Sequence, residues 1–565
     1  MFSQISDNDA RGDLDHHFSK NLIKINDITV EYLLTQQELS RSHKWFGGVK
    51  DNYEIHTAGG TAHFIRILTC AYSSSESKFY HASEILERLE FAAQYLMKAQ
   101  HEDGTIDLLT TNFHSPPDTA FVIEPLCASY VVLNQLENEA LNRLKTNLKA
   151  FILKAGQALT VGGIHTPNHR WVVCSALARI NSLFPDQKYV QRIDEWLHEN
   201  IDIDPDGQYT EKSTGIYSVV VNNSFIHIAR LLNRPELYEP VRRNLKMTIY
   251  YMHPNGEIVT SASGRQDYNM RKTISPYYFA YRYMALHDHD PLFAAITRFI
   301  EKLHTEYYQS NSQKTMIQNE ENLAQYLIHF LEIPLLRQTL PEQARIPTNY
   351  VKPFLSSNVV RIRREKISAT ILNKNTIFFS LHNGHAALEA VRIAHAFFGK
   401  GQFQGQALSI NNNEFTLIEQ LTKGYSQPLP AAATVDDGDW SKMEHDLREQ
   451  TEVQHLESTV TIIESNGKFV LNIRIDGTAN VHIAVELGFR PGGKLAGVQP
   501  IEDIEAAFLL KNGFGKYSFK GDVIEFGPGH AEHRWTQLRG AEPKLNAQSV
   551  YLTGFTPFEM KLQIS

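Results

Sequence analysis

Residues 83–100 read SEILERLEFAAQYLMKAQ, with Ile85, Leu86, Leu89, Ala92, Ala93 and Leu96 at the i, i+3, i+4 spacing of one buried helix face. Outward from this stretch, the same texture covers residues 20–40, 57–72, 118–135, 139–159, 168–183, 187–199, 215–232, 236–252, 275–287, 291–308 and 320–332. The intervening loops hold most of the Gly, Pro and Asp; His101–Thr111, Asp202–Tyr209 and His253–Arg265 are three of them. Paired helices that bury their inner faces against neighbouring pairs build a toroid or solenoid. No sharp internal repeat is visible, so helix number and spacing alone predict an α/α toroid over residues 1–340.

The texture changes near Pro341–Pro353 (PEQARIPTNYVKP). Beyond it the chain reads as short β-rich runs, among them Val359–Arg363, Ile367–Leu372, Thr376–His382, Thr459–Glu464, Phe469–Ile475, Val481–Phe489 and Val550–Gly554. FVLNIRI at Phe469–Ile475 and VHIAVEL at Val481–Leu487 alternate apolar and polar residues, the period of a half-buried strand. Turn signals at Asn466-Gly467, Asp476-Gly477, Asn512-Gly513 and Pro491-Gly492-Gly493 separate the runs. Residues 341–565 are therefore expected to form an antiparallel β-sandwich, giving a multidomain α and β chain.

Composition narrows the function. Of 565 residues, 42% are apolar and 21% charged, an ordinary core-forming balance. Lys+Arg number 55 against 63 Asp+Glu, and the net charge of −8 argues against a nucleic-acid partner held by a general basic surface. A local cationic pocket for an anionic small substrate stays open. Cys70, Cys127 and Cys174 lie apart in apolar runs, which points to inert buried thiols rather than disulfides or a thiolate zinc site. No run reaches the roughly 18 apolar residues of a membrane span. MFSQISDNDARGDLDHHFSK at the start has no signal-peptide core. The expected location is cytoplasmic, or periplasmic or secreted if a signal was removed.

Four stretches carry candidate chemistry. In GGIHTPNHRW, residues 162–171, Thr166-Pro167 marks a helix start, which places Asn168 and His169 in its first turn. The positive end of the helix dipole favours a nearby anion and lowers a histidine pKa there. In DGQYTEKSTGIYSVVVNNSFIHIAR, residues 206–230, a polar loop enters a helix at about Ser213; Tyr217 lies near its start, and Asn223 and His227 share a face. In NGEIVTSASGRQDYNMRK, residues 255–272, Arg265, Arg271 and Lys272 sit on a Gly-containing loop suited to gripping a carboxylate. In the β region, His382 and His385 flank Asn383-Gly384, with Arg392 and His395 on a following strand. A metal needs a third or fourth ligand and supporting groups, and neither these residues nor His287–Asp290 supply an evident set; no metal is expected. P-loop, GxGxxG, GxSxG and HExxH motifs are absent.

A helical toroid followed by a β-sandwich, with Asn168-His169 at a helix start and Tyr217 some fifty residues on after a DGxY-type loop, resembles the heparinase II/III-like and alginate-lyase-like polysaccharide lyases. The loops around Thr110–Glu124 and Ser261–Asp267 resemble those of the rhamnose–glucuronate lyases within that group. One departure is plain. Many relatives carry a His/Asp/His metal site and a GxHxHxDxGSF-like strand, whereas residues 384–403 here read GHAALEAVRIAHAFFGKGQF.

The resemblance implies cleavage of a uronic-acid-containing glycan by β-elimination, leaving a 4,5-unsaturated uronate and needing no redox or organic cofactor. It implies an anionic oligo- or polysaccharide as partner. His169 and Tyr217 are the implied base and acid, and Asn168 and Arg265 neutralise the substrate carboxylate. Glu211, Asn223, His227 and Arg170 are implied around them, with His382 and His385 approaching from the sandwich. Two other readings compete. A glycoside hydrolase of the same toroid type, acting on uronides, needs two carboxyl groups about 5–10 Å apart, from Glu124, Asp206, Glu211 or Asp267. A non-catalytic glycan-binding protein would be expected to offer aromatic platforms, yet Trp is only 5.

Overall fold

The apolar stripe of residues 83–100 forms the helix Ser83–Ala99 and buries Ile85, Leu89, Ala92, Ala93, Tyr95 and Leu96. Beyond it the chain turns at Gly104, whose positive φ and position against the Lys154 carbonyl leave no room for a Cβ. The computed structural model describes residues 7–310, 322–433 and 436–565. They divide into two units, one of residues 1–252 and 256–346, the other of 253–255 and 347–565.

Twelve α-helices are described in the first unit. Most start and stop within a few residues of the stretches read from the sequence. Four differ. The first runs Asp7–Leu34 rather than 20–40, the helices expected from 139 and 275 begin as 3₁₀ turns before Asn142–Val161 and Tyr278–Asp288, and only Leu327–Glu332 is α-helical in the last. Residues 320 and 321 of that last expectation lie outside the described residues. Alternate helices are packing neighbours: Ala58–Ser73 on Pro116–Asn134, that on Pro167–Leu183, and that on Tyr217–Leu232. Tyr217–Leu232 touches Tyr278–Asp288, and Leu327–Glu332 returns to both Ala58–Ser73 and Pro116–Asn134. These inner helices are nearly all buried; Pro167–Leu183 is buried continuously from Asn168 to Ile180. Short ladders absent from the sequence reading join Ile106–Leu108 to Asn112–Ser115 and Glu257–Ile258 to Lys272–Thr273.

The second unit has a nine-stranded and an eight-stranded sheet. Ile362, Val391, Val485 and Val550 of one share a single core with Phe415, Val460, Leu471 and Leu562 of the other, so the two sheets bury each other's inner faces. Lys468–Gly477 shows the alternation expected, with Phe469, Leu471, Ile473 and Ile475 inward. His482–Phe489 is buried almost throughout because Ala484, on its outer side, packs with Ala394, Leu509, Leu538 and Tyr551. Among the described strands the pairing is antiparallel except at Ala507–Leu509, which runs parallel to Gln548–Phe555; an isolated bridge from Ala531 to Thr553 is also parallel. The sequence reading missed Glu414–Ser426 and Asp522–Gly527, and it caught only the end of Gln450–Ser465.

Trp171 anchors the helix Pro167–Leu183: it is fully buried, its ring centroid lies 4.8 Å from that of Phe225, and its indole N–H donates to Asp202. Trp171→Ala is expected to lower unfolding free energy by about 3–5 kcal/mol, read as a reduced urea midpoint.

Candidate functional site

Pro167 opens the helix that carries Asn168 and His169. Thr166 has the extended backbone of an N-cap, but its hydroxyl does not cap the helix; it accepts from Asn168 Nδ2 at 3.1 Å. The other Asn168 amide hydrogen goes to Glu211 Oε1, also at 3.1 Å. Both donors of the amide are thus spent within the protein, while Asn168 Oδ1 meets no hydrogen-bond partner among the described residues.

His169 is buried, with its ring edge-on to His165 at 4.7 Å and to Phe121 at 6.3 Å. Burial pushes its pKa down to about 4, helped by His165 and Arg265 and opposed by Asp118. The sequence pointed to the helix dipole for this effect; desolvation is the larger cause. Nδ1 of the ring has no hydrogen-bond partner among the described residues.

Tyr217 begins its helix four residues later than the sequence suggested, because Ser213–Ile216 is held as a loop by a buried carboxylate. Asp267, with no exposed surface, accepts from Ser213 Oγ at 2.8 Å, Gly215 N at 2.8 Å and Ser263 Oγ at 2.5 Å. Ser213 Oγ in turn accepts the Tyr217 amide N–H, and Tyr277 donates to the Thr214 carbonyl. The same carboxylate therefore fixes the loop before Tyr217 and the loop that carries Arg265.

Arg265 places its guanidinium 4.9 Å over the Tyr217 ring, and its Nε lies 3.4 Å from Glu211 Oε1, without hydrogen-bond alignment. Glu211 is buried, which raises its pKa against the opposing pull of Asn168 and Arg265. Asn168, Glu211, Arg265 and Tyr217 thus form one connected row, with His169 beside its first member. Asn223 is half-buried one turn and a half further along the Tyr217 helix, and its Oδ1 has no partner among the described residues.

Arg170 and His227, also named from the sequence, are placed elsewhere in the helical unit. Arg170 turns away to bind Asp202 at 2.8 Å and Glu199 at 3.2 Å while stacking on Trp171. His227 is buried against Arg179, whose guanidinium also binds Glu124 at 3.1 Å and Glu332 at 2.9 Å. His227, His329 and Glu124 bring ligand atoms within 4.8 Å of one another, but the positive charge among them is this guanidinium. His382 and His385 belong to the second unit. His382 is buried and stacks on His253 at 3.7 Å, whereas His385 is exposed and donates its amide to Asp522. His395 is buried beside Glu419, and Arg392 pairs with Glu486 and Glu542. The three cysteines are buried and free, and burial pushes the Cys70 thiol up to about 12. No described helix is long and apolar enough to cross a membrane.

The sequence reading missed Asp267 as an organiser and missed His63 and Arg66. The latter two had a visible signal: a histidine and an arginine at i, i+3 inside the otherwise apolar helix Ala58–Ser73.

No known protein family and no curated protein matches the sequence. The fold does have relatives. It is similar to heparinase III at a TM-score of 0.54 and 14% identity, covering 96% of this chain and 82% of that one. It is similar to a Paenibacillus xanthan lyase at a TM-score of 0.58 and 9% identity, covering 96% of this chain and 56% of that one. At these identities the likeness is one of fold.

Proton NMR titration is expected to place His169 near pH 4, and His165→Ala to move it upward. Folding lowers this pKa from an ordinary 6.5, so the neutral ring favours the native state. Its contribution to stability is complete above about pH 6.5 and is lost as pH falls through about 4. Asp267→Ala strands three buried donors and is expected to cost about 3 kcal/mol or more in urea unfolding.

Proposed function

We propose that this chain is a polysaccharide lyase that breaks a glycan at a uronic acid by β-elimination. The observation that carries the reading is the row Asn168–Glu211–Arg265–Tyr217, which sets a guanidinium against a phenol beside the neutral imidazole of His169. The likeness of fold to heparinase III and xanthan lyase supports it. So does the neighbour order of the inner helices, whose return from Leu327–Glu332 to Ala58–Ser73 is what a closed α/α toroid requires.

The chemistry follows from charge. The C5 proton of a uronate is weakly acidic while its carboxylate is ionised, so the site must offset that charge. Arg265 does so; among the described residues its terminal nitrogens make no hydrogen bond that competes. Glu211 is already on the same guanidinium, and its pKa is already raised by burial. A second carboxylate beside it disfavours the doubly ionised pair, so a proton shared between the two lowers the charge on the sugar acid. His169, neutral above about pH 4, takes the C5 proton. The C4–O bond breaks, the electrons of the C5–H bond form the C4–C5 double bond, and Tyr217 gives its hydroxyl proton to the leaving oxygen. Asn168 positions Glu211 through its amide hydrogen. Among uronate linkages, the rhamnose–glucuronate bond suggested by the loops Thr110–Glu124 and Ser261–Asp267 is the first to test.

The hydrolase alternative fares worse on this geometry. Three of its four candidate carboxylates are committed: Asp267 to three donors, Glu124 to Arg179, and Glu211 to Asn168 and Arg265, so none of the three is left to join Asp206 as the second carboxyl group. The separating measurement is ultraviolet absorbance of the products from a panel of uronate glycans, since only elimination makes a conjugated double bond. A rise in absorbance is expected for at least one glycan. His169→Ala and Tyr217→Phe are expected to lower kcat about 100-fold or more with the fold retained. Reducing ends without absorbance would overturn the lyase reading, as would unchanged turnover in both variants.

A further inference from the structure

A cavity of about 460 Å³ opens in the helical unit among residues 51–125, within the size range of small-ligand sites. It adjoins the row described above: Phe121, one of its walls, meets the His169 ring edge-on, and Asp118, another, acts on the His169 pKa. Its apolar side is built by Ile106, Leu109, Phe121, Val122 and Pro125.

The polar side is unusual in its charge. Arg66 is half-buried, and its only hydrogen bond among the described residues is from Nη2 to His63 Nδ1 at 2.6 Å; its Nε is buried without a partner. Accepting that bond fixes the His63 proton on Nε2, which makes the ring a donor as well. Burial and the Arg66 charge press the His63 pKa down to about 3, so the ring is neutral. Four carboxylates also line the cavity, and each already has donors. Asp51 takes the Tyr53 and Ile55 amides, Asp107 takes His101 and the His114 amide, Asp118 takes Ser115 and Asn112, and Glu124 takes Arg179. Only Glu124 among them is matched by an arginine. With Arg66 the sole further arginine of the lining, the cavity keeps a negative balance.

Such a lining repels an anion. It suits a ligand that gives hydroxyl hydrogens to carboxylates, accepts from a guanidinium and an imidazole, and lays an apolar face on Phe121. We propose that this cavity is the subsite for an uncharged hexose or deoxyhexose next to the uronate, and that it rejects a sulfated one. The placement next to the uronate rests on the lyase reading; the binding of a neutral sugar does not.

The test therefore begins with binding. Saturation-transfer NMR with methyl glycosides of glucose, galactose and rhamnose, and with glucose 6-sulfate, is run on the wild-type chain, Arg66→Gln and Arg66→Lys, each checked for an unchanged melting temperature. At least one neutral glycoside is expected to bind and the sulfate not to; Arg66→Gln weakens the neutral sugar about tenfold or more, and Arg66→Lys weakens it less. No neutral sugar bound, equal binding of the sulfate, or full binding by Arg66→Gln overturns the proposal. Turnover then tests the placement. On a glycan that gives unsaturated product, Arg66→Gln is expected to raise KM about tenfold with kcat kept within about twofold. An unchanged KM overturns the placement. Absence of unsaturated product from the wild type counts against the lyase reading, while the binding arm still judges the cavity.

Discussion

A single fully buried carboxylate, Asp267, holds the candidate site in register. Burying a charge is tolerable only when donors replace its water, and Asp267 has three from two loops distant in sequence. One loop delivers Tyr217 at a helix start; the other delivers Arg265 over its ring. Neither loop has regular structure of its own to fix it; besides this anchor, the Gly264 amide on the Glu211 carbonyl and the Arg265–Glu211 pair tie the two loops.

From this anchor the electrostatics follow in sequence. Arg265 draws Glu211, Glu211 draws the Asn168 amide, and the Asn168 helix presents His169 one residue on. Burial rather than these links sets the direction of the Glu211 pKa, since Asn168 and Arg265 pull it the other way. Burial raises the Glu211 carboxyl toward its neutral form and lowers the His169 imidazole toward its neutral form. An acidic sugar meeting the row finds one permanent positive charge already shared with a carboxyl that protonates readily, and an imidazole that is a free base. On the proposed lyase reading, the row trades strong ground-state attraction for a charge distribution matched to a developing aci-carboxylate.

How much of this the sequence revealed depends on where the signal lies. Helical stripes such as Ser83–Ala99 were legible because one face is buried and the other wet. Pro167–Leu183 was placed correctly by Thr166-Pro167 although it is buried almost all round. The strand Lys468–Gly477 alternates cleanly, whereas Glu414–Ser426 and Gln450–Ser465 carry polar residues on exposed stretches that hide their length. Within the site, Asn168-His169 and Tyr217 stood out as polar residues at helix starts. Arg170, next in line, looked equivalent but points to Asp202, because consecutive helix residues face about 100° apart. Asp267 looked like one more loop acid, since nothing local says that a carboxylate is buried or names its donors fifty residues away.

His227 shows the same limit from the other side. Its spacing from Asn223 put both on one helix face, and that much holds, yet the imidazole stacks on Phe279 and abuts Arg179 instead of a solvent-filled space. Arg179 is there because Glu124 and Glu332 need a cation as neighbours, and a guanidinium reaches both at once with separate nitrogens. The arrangement also sets the character of the cavity beside it. With Arg179 committed to Glu124, Arg66 is the one arginine among the described residues that line that cavity. The helical unit therefore carries two polar surfaces of different kinds, close together: one built around an exposed-facing guanidinium fit for an acid, the other rich in acceptors and fit for hydroxyls. On the proposed lyase reading and the proposed neutral-sugar subsite, a chain of alternating acidic and neutral sugars is the simplest ligand that satisfies both.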